Sequence, residues 1–499
     1  MSALSLCFKL KELAAVVGLT RMIQVDRTAK AEYGDFQTPL DLATQVCKKL
    51  VELNIRPTTI IEPTCGTGNF LIAAAQTFPA ARQIIGVERN PHYLQEMDRH
   101  QRGDRRIETK QGDFFQFDWL SLINEHQNLL VLGNLPWVTN SQQGTIDSQN
   151  LPTKTNFQRF RGVDALTGKS NFDISEWMLI QIVGWLQHRP ACLAMLCKIT
   201  VARKLLNYIH ANQLNLADFV TYKIDAKKYF AANVEACLLV CKFDTHSHNY
   251  FCDVFSALDS YEHHRIGYCN HHGLVRDLDS FSTLSHLYDP TPTTKWRSGI
   301  KHDCSAVMEF SKVGSQYVNG FGATIDLEET YLLPLLKGSD VAQNRTLTTN
   351  RFVLVTQKLV GESTDGIRAH APKTWSYLNS HANELKSRKS KIYQHNPPFS
   401  VFGVGPYTFA PWKIAICGLY KALDFRLIGP IGGKPAVFDD TVYFLSFEDE
   451  QAATETFAHL TSSTAIAFYR SLIFWDEKRP IKASILNCLN LLALAHAEK

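Results

Sequence analysis

The sequence predicts a doubly wound α/β domain followed by a second domain of different character, on three observations. From about residue 58 to residue 243, short apolar β-rich runs alternate with helix-forming stretches, the rhythm of a mostly parallel sheet with helices on both faces. A glycine-rich turn, Glu62-Pro63-Thr64-Cys65-Gly66-Thr67-Gly68-Asn69-Phe70, follows the first of those runs and opens a helical stretch, as nucleotide-binding α/β domains require. Beyond about residue 245 the rhythm stops: residues 246–272 are rich in His and aromatics, and Gly, Pro and aromatic residues then punctuate short segments.

Taken in chain order, Thr58 to Ile61, Gln83 to Val87, Asn128 to Leu132, Leu193 to Ile199 and Ala236 to Phe243 are expected as strands. Each is a short run rich in aliphatic residues and bounded by polar or turn-forming ones. Phe70 to Thr77 and Glu176 to Leu186 have helix-forming composition, with Ser175 as the N-cap of the second. The division is then an N-terminal extension over 1–30, an α/β domain over 31–245 and an α+β domain over 246–499.

The 499 residues suffice for two or three domains with a large core, and 45% hydrophobic against 20% charged residues excludes a disordered or coiled-coil chain. The net charge of +4 permits a polyanionic partner without requiring one. The 12 Cys never form Cys-x-x-Cys, which argues against a disulfide framework or zinc ribbon and for a reducing compartment. No run of about 18 uncharged apolar residues appears that would span a bilayer, so no membrane association is expected and the location is read as cytoplasmic. His246, His248, His263, His264, His271 and His272 lie near Cys252 and Cys269, but their spacing matches no zinc pattern, and no metal is expected.

The glycine turn lets the backbone approach a ligand closely, and the next strand ends in Glu88, whose carboxylate suits the two ribose hydroxyls of an adenosine. No Lys-Ser/Thr follows the glycines, which excludes a P-loop. Glu62 at the mouth of the turn would repel a pyrophosphate and attract an ammonium. The ligand is therefore read as adenosine joined to a methionine-type tail. Asp113 is placed to accept from an adenine amine and Phe114 to pack on the ring, while an ordinary turn role for Asp113 stays open. Cys65 reads as small, buried and inert.

The run Asn128 to Leu132 delivers Gly133-Asn134-Leu135-Pro136-Trp137 to the carboxyl end of a strand, where open α/β sheets place ligands. The Asn134 side-chain oxygen and the Leu135 backbone oxygen would each accept a hydrogen from one planar amino group. Pro136 stiffens the loop and Trp137 offers a stacking face. Two acceptors on one amine favour rehybridisation toward sp3, exposing a lone pair to a methyl donor, and this helps only if it strengthens in the transition state. A strand-end turn with a core tryptophan is the bland alternative.

In this order the motifs resemble the class I S-adenosylmethionine-dependent DNA adenine-N6 methyltransferases of restriction-modification systems, in their gamma-type arrangement. Gly34-Asp35-Phe36-Gln37-Thr38-Pro39 looks like the upstream cofactor motif, Glu62 to Phe70 like the glycine loop, Glu88 like the ribose acid, Asp113-Phe114 like the adenine contact and Asn134 to Trp137 like the catalytic motif. The resemblance implies a Rossmann-like doubly wound catalytic domain over 31–245, a target-recognition domain over 246–499, and S-adenosylmethionine held by Thr38, Pro39, Glu62, Pro63, Cys65, Gly66, Gly68, Glu88, Asp113 and Phe114. Asn134, Leu135, Pro136 and Trp137 would be catalytic. Asn171-Phe172-Asp173 resembles the next motif, and Lys227-Lys228-Tyr229-Phe230 the loop whose aromatic stacks on the target base, a role carried to Phe230 with Tyr229 as runner-up and a core aromatic before a strand as the alternative. Leu135 replaces the commoner proline of that motif and leaves a carbonyl in place.

Double-stranded DNA is the implied partner, with the base flipped between Trp137 and Phe230. Restriction is expected to reside in a separate cognate endonuclease, since about 30 residues precede Gly34 and no carboxylate-Lys nuclease site is evident. Lys386, Arg388, Lys389 and Lys391, followed by Tyr393, Phe399, Phe402, Tyr407, Phe409 and Trp412, combine phosphate-neutralising charge with aromatics. Residue by residue, a solvated face and a core remain the stronger readings. Leu333 to Asp340 and the 399–413 region loosely resemble target-recognition parts of the family. Alternatives are an RNA adenine or protein glutamine acceptor, cytosine-N4 in DNA, and a binding module with a vestigial cofactor fold; the intact motif set argues against the last. The recognition sequence is not legible.

Overall fold

In the computed structural model the residues described are 36–100, 104–137, 173–269, 272–292 and 294–497. Gly34, Asp35, Asn171, Phe172 and the expected extension over 1–30 lie outside them. The chain divides into two compact units, Met1–Tyr268 and Cys269–Lys499.

In the first unit, helix α1 (Leu40–Glu52) leads to strand β1 (Thr59–Glu62), α2 (Asn69–Thr77), β2 (Gln83–Glu88), α3 (Pro91–His100), β3 (Ile107–Gln111), α4 (Trp119–Asn124) and β4 (Leu129–Asn134). Then follow α5 (Ile174–Leu186), β5 (Ala191–Lys198), α6 (Ile199–Ala211), β6 (Asp218–Ile224), α7 (Ala226–Phe230), β7 (Ala236–Phe243), β8 (Phe251–Phe255) and β9 (His263–Cys269). Adjacent strand residues Ile60 and Ile61, Ile84 and Ile85, and Leu130 and Val131 are all buried. Because successive side chains point to opposite faces, such strands must be covered on both sides. On one face Ile60, Ile84 and Leu130 pack with Leu42, Val46 and Leu50 of α1 and with Phe70 and Leu71 of α2.

These strands run in one sheet in the order β9-β8-β6-β7-β5-β4-β1-β2-β3. Strands β5, β4, β1, β2 and β3 are parallel neighbours, while β7 runs antiparallel to both β5 and β6. The chain leaves β1 toward β2 and β3, then returns to the other side of β1 with β4. That reversal opens a crevice at the carboxyl ends of β1 and β4, the place where open α/β sheets bind ligands.

Three expectations need correction. The cap of α5 is Asp173, whose side chain accepts from the Ser175 amide, so Ser175 sits inside the first turn as a donor. The expected strand at Leu193 begins at Ala191 and ends at Lys198, where the chain turns directly into α6. The domain boundary at 245 falls before the hairpin of β8 and β9, whose register pairs Phe251 with Gly267 and Phe255 with His263. Strand β8 also pairs with β6, so the His- and aromatic-rich stretch extends the first sheet.

The second unit is α+β, built on two sheets. One orders its strands Thr324–Ile325, Gln316–Asn319, Glu309–Val313, Arg351–Leu354, Leu332–Leu336 and Val437–Phe438; the other orders Arg297–Ser298, Val442–Phe447, Trp412–Cys417 and Arg426–Ile428. Helices such as Glu450–Leu460 and Ser463–Leu472 complete it, the second contributing Phe468, Tyr469 and Leu472 to a core with Ile414, Ile416 and Leu445. Among the described residues no helix is long and apolar enough to cross a membrane.

Candidate active site

A cavity of about 450 Å³ lies at the crevice over β1 and β4. Its wall includes Thr38, Glu62, Pro63, Cys65, Gly66, Glu88, Asp113, Phe114, Asn134, Leu135 and Pro136, so the structure brings together most of the residues singled out in the sequence. Pro39 and Gly68 are not on the wall. Pro39 caps α1, its carbonyl accepting from the Ala43 amide at 3.0 Å, and Gly68 caps α2 in a left-handed conformation. Both shape backbone that other residues then present to the cavity.

The glycine turn is built from the inside. Gly66 has φ +52°, and a Cβ there would run into the Gln37 amide. Glu88 Oε2 accepts from the Gly66 amide at 2.9 Å and Oε1 from the Asn90 amide at 2.8 Å, which fixes the carboxylate at the end of β2. Gln37 Oε1 accepts from the Thr67 amide at 3.1 Å, and Thr38 O from Asn69 Nδ2 at 2.9 Å, so the 36–38 segment is strapped across the turn.

Glu62 ends β1 and is 3% exposed, with Oε2 buried and without a hydrogen-bond partner among the described residues. Burial, and then the neighbouring Glu88 carboxylate, push its carboxyl well above the usual carboxylate range. A buried acceptor left unsatisfied in this way is rare and fits a cationic donor from a ligand. Gly133, at φ +152°, leaves room for it: a Cβ there would meet Glu62 Cγ at 3.2 Å. The Cys65 thiol is also pushed up, first by burial and then by Glu62 and Glu88, and so stays protonated, consistent with an inert role.

At the other end of the cavity Asp113 Oδ1 accepts from the Phe115 amide at 2.8 Å, and Oδ2 lies 3.4 Å from Arg89 Nε. Asp113 is therefore a turn-former and a wall residue at once. Phe114 is 7% exposed and packs against Trp119 and Trp185, with ring centroids 5.5 and 5.4 Å away. Phe115, 37% exposed and 4.9 Å from Trp177, also lines the cavity.

Sequence reasoning missed Phe115 and, with it, Arg89, Asn90, Tyr93, Ile174 and Met178. The spacing of Ile174 and Met178, one turn apart at the start of α5, was the available signal for the last two.

Asn134 is the last residue of β4. Its Nδ2 donates to Phe36 O at 2.9 Å, and its Oδ1 is buried without a hydrogen-bond partner among the described residues. The donor side of the amide is thus used by the protein and the acceptor side is left for something else. Thr64 Oγ1 donates to Asn134 O at 3.3 Å and ties the two strand ends together.

Trp137 and Phe230 were expected to flank a base across a gap. Instead their rings meet edge to face, centroids 5.1 Å apart at 67°, and Phe36 touches both at 5.6 and 6.1 Å. A base stacked on both sides needs roughly 7 Å between parallel planes, twice the contact distance of about 3.5 Å. Both rings are buried, Trp137 being 5% and Phe230 8% exposed.

In the second unit, Arg388 does not stand free. Nε donates to Leu385 O at 2.7 Å, Nη1 to Ser400 O at 2.8 Å and to His302 O at 3.2 Å, and the guanidinium covers the Tyr393 ring at 3.6 Å. Lys386, Lys389 and Lys391 are exposed. Leu333 and Leu335 lie in a buried strand, Asp340 is held by Arg345 and Arg351, and Phe399 belongs to the core.

No family model matches the chain. It is 58% identical over 477 residues, 95% of this chain and 99% of the relative, to the type II methyltransferase M.NspV of a Nostoc species. A second relative, the type II methyltransferase M.CvrRI of Paramecium bursaria Chlorella virus XZ-6E, is 28% identical over 116 residues, 23% of this chain and 27% of that one. Among solved structures, the type IIL restriction-modification enzyme MmeI in complex with DNA aligns with 95% of this chain and 67% of its own, at a TM-score of 0.52 and 12% identity, a likeness of fold.

Proposed function

The chain belongs to the type II methyltransferases, DNA-modifying enzymes of restriction-modification systems, and on that premise we propose that it methylates the exocyclic N6 amine of an adenine flipped out of duplex DNA. S-adenosylmethionine is the expected cofactor, and the residues present fit it: an orphaned, buried Glu62 oxygen for an ammonium, a fixed Glu88 carboxylate for ribose hydroxyls, and Asp113 for an adenine amine. When bound it supplies a methyl group on a sulfonium, already activated for displacement.

The observation that carries the proposal is the buried, unpartnered Asn134 Oδ1 at the carboxyl end of β4, on the cavity wall, with the amide nitrogen held by Phe36 O. That oxygen and the Leu135 carbonyl accept the two hydrogens of the incoming amine and draw its nitrogen toward sp3, an interaction that strengthens as positive charge develops on the nitrogen. Positioning supplies most of the rate, and no covalent enzyme intermediate is required. Trp137 and Phe230 part to admit the base, and stacking on an aromatic, worth roughly 1–3 kcal/mol per base, offsets part of the cost of flipping. The second unit reads the target, with the exposed Lys386, Lys389 and Lys391 meeting phosphates.

Substitution Asn134→Ala tests the assignment. Transfer of labelled methyl to duplex DNA is expected to be lost while cofactor affinity, measured by calorimetry, stays within about threefold of the parent, since Asn134 is assigned to the acceptor and not the donor. Undiminished transfer by this variant would overturn the reading.

A further inference from the structure

We propose that Lys198 is a positioning residue for methyl transfer: its ammonium joins the backbone of Trp137 to the cap of α5 and so holds the Asn134–Trp137 turn at its working height. The inference rests on the reading of Asn134 as the group that holds the acceptor amine.

Lys198 is the last residue of β5, which runs parallel to β4 with Leu196 opposite Asn134. Two residues further along, its side chain reaches the level of the turn that follows β4. Nζ donates to Asp173 Oδ2 at 2.6 Å and to Trp137 O at 3.5 Å. The pair is largely withdrawn from solvent, the Lys198 and Asp173 side chains being 18% and 7% exposed. The other Asp173 oxygen accepts from the Ser175 amide at 3.1 Å and the Ser175 hydroxyl at 2.6 Å, so the carboxylate is anchored to the first turn of α5. That helix carries Ile174 and Met178 on the cavity wall.

One ammonium thus links the turn that presents Asn134 and Leu135 to the helix that closes the cofactor cavity. A cation and an anion withdrawn from water in this way are costly to separate, so the link resists displacement of either element. The constraint acts on the backbone: the Trp137 carbonyl is held from the far side of Pro136, whose ring leaves the turn little freedom to adjust by itself. Lys198 touches neither the donor nor the acceptor, and its effect is on where Asn134 Oδ1 and the Leu135 carbonyl stand when the amine arrives.

Substitution Lys198→Met keeps the aliphatic stem and removes the cation. The single-turnover rate of methyl transfer to duplex DNA is expected to fall between about 10-fold and about 100-fold, the scale of loss that follows a 1 Å misplacement. The KM for DNA and the affinity for S-adenosylmethionine are expected to stay within about threefold, and Lys198→Arg to recover most of the lost rate. Should Lys198→Met fail to fold, Lys198→Gln takes its place in the same comparison.

An unchanged rate in the charge-less variant, beside an inactive Asn134→Ala, would overturn the proposal while leaving the active-site reading intact. A rate loss matched by an equal loss of cofactor affinity, or one that Lys198→Arg does not repair, would also overturn it, because a merely structural ion pair predicts those results. Activity retained by Asn134→Ala would instead mark failure of the underlying reading.

Discussion

At the scale of single residues, the site is defined by acceptors the protein leaves unused. Glu62 and Asn134 sit one strand apart, and each offers a buried oxygen without a hydrogen-bond partner among the described residues. Glu62 is held toward its neutral form by burial and by Glu88. With its carboxyl raised in the folded protein, the cofactor-free enzyme is most stable with respect to this group below the ordinary carboxylate range, and loses that contribution as pH rises through the raised value. An ammonium at the same oxygen reverses the preference and favours the ionised form. Cofactor affinity is therefore expected to rise with pH across that interval, with a proton released on binding, which calorimetry in buffers of different ionisation enthalpy would detect. Substitution Glu62→Gln is expected to weaken S-adenosylmethionine binding by about 1.5–3 kcal/mol, the range for a hydrogen bond to a charged group, and to abolish the proton release.

At the scale of elements, four strands of the parallel core were legible because each is a short aliphatic run, while β3, Ile-Glu-Thr-Lys-Gln with a single aliphatic residue, was not read as a strand. Ala236 to Phe243 is found as expected, β2 differs by one residue at one end, and β1 and β4 differ by one or two residues at both ends. The strand reading did not give β7 its direction or place it between β5 and β6. An apolar run buried on both faces reads alike in either direction, and the pairing that decides it is long-range. The motifs that line the cavity were legible because they stand at strand ends where the backbone needs special residues. Phe115, Ile174 and Met178 were not, since an apolar wall residue has the same chemistry as a core residue. Trp137 and Phe230 show the same limit: the sequence names two rings without saying that they meet edge to face.

An element of the second unit carries a further test. Lys413, on the strand Trp412–Cys417, is 1% exposed, donates to Ala410 O at 2.6 Å, and is pulled down to about 7 by burial, against a smaller opposing effect of Glu448. Between about pH 7 and the ordinary lysine value near 10.4, the unfolded chain holds a proton that the folded one does not, so this group makes stability rise with pH there. Denaturant titrations at pH 7 and pH 9 are expected to show that rise in the parent and a flatter dependence in Lys413→Met.

At the scale of the whole molecule, the chain divides its work between an α/β unit that carries every residue of the cavity and an α+β unit with a core of its own. The mild excess of +4 does not mark a nucleic-acid partner, and the charges that matter are local. Of the basic cluster in the sequence, Arg388 is occupied in holding backbone carbonyls together, which leaves Lys386, Lys389 and Lys391 exposed. Replacing those three with Gln is expected to weaken DNA binding without changing which sequence is preferred. It should flatten the plot of log affinity against log salt by roughly one unit for each lysine that meets a phosphate. A slope equal to that of the parent would move the DNA-binding surface elsewhere.

The acceptor atom is the most direct readout of what the Asn134 turn holds. DNA from cells expressing the active protein, compared with DNA from cells expressing Asn134→Ala, is to be digested to nucleosides and its methylated bases mapped. N6-methyladenine is expected at one defined sequence, present with the parent and absent with the variant. N4-methylcytosine in its place, or methyl label found only in RNA or protein, would contradict that expectation.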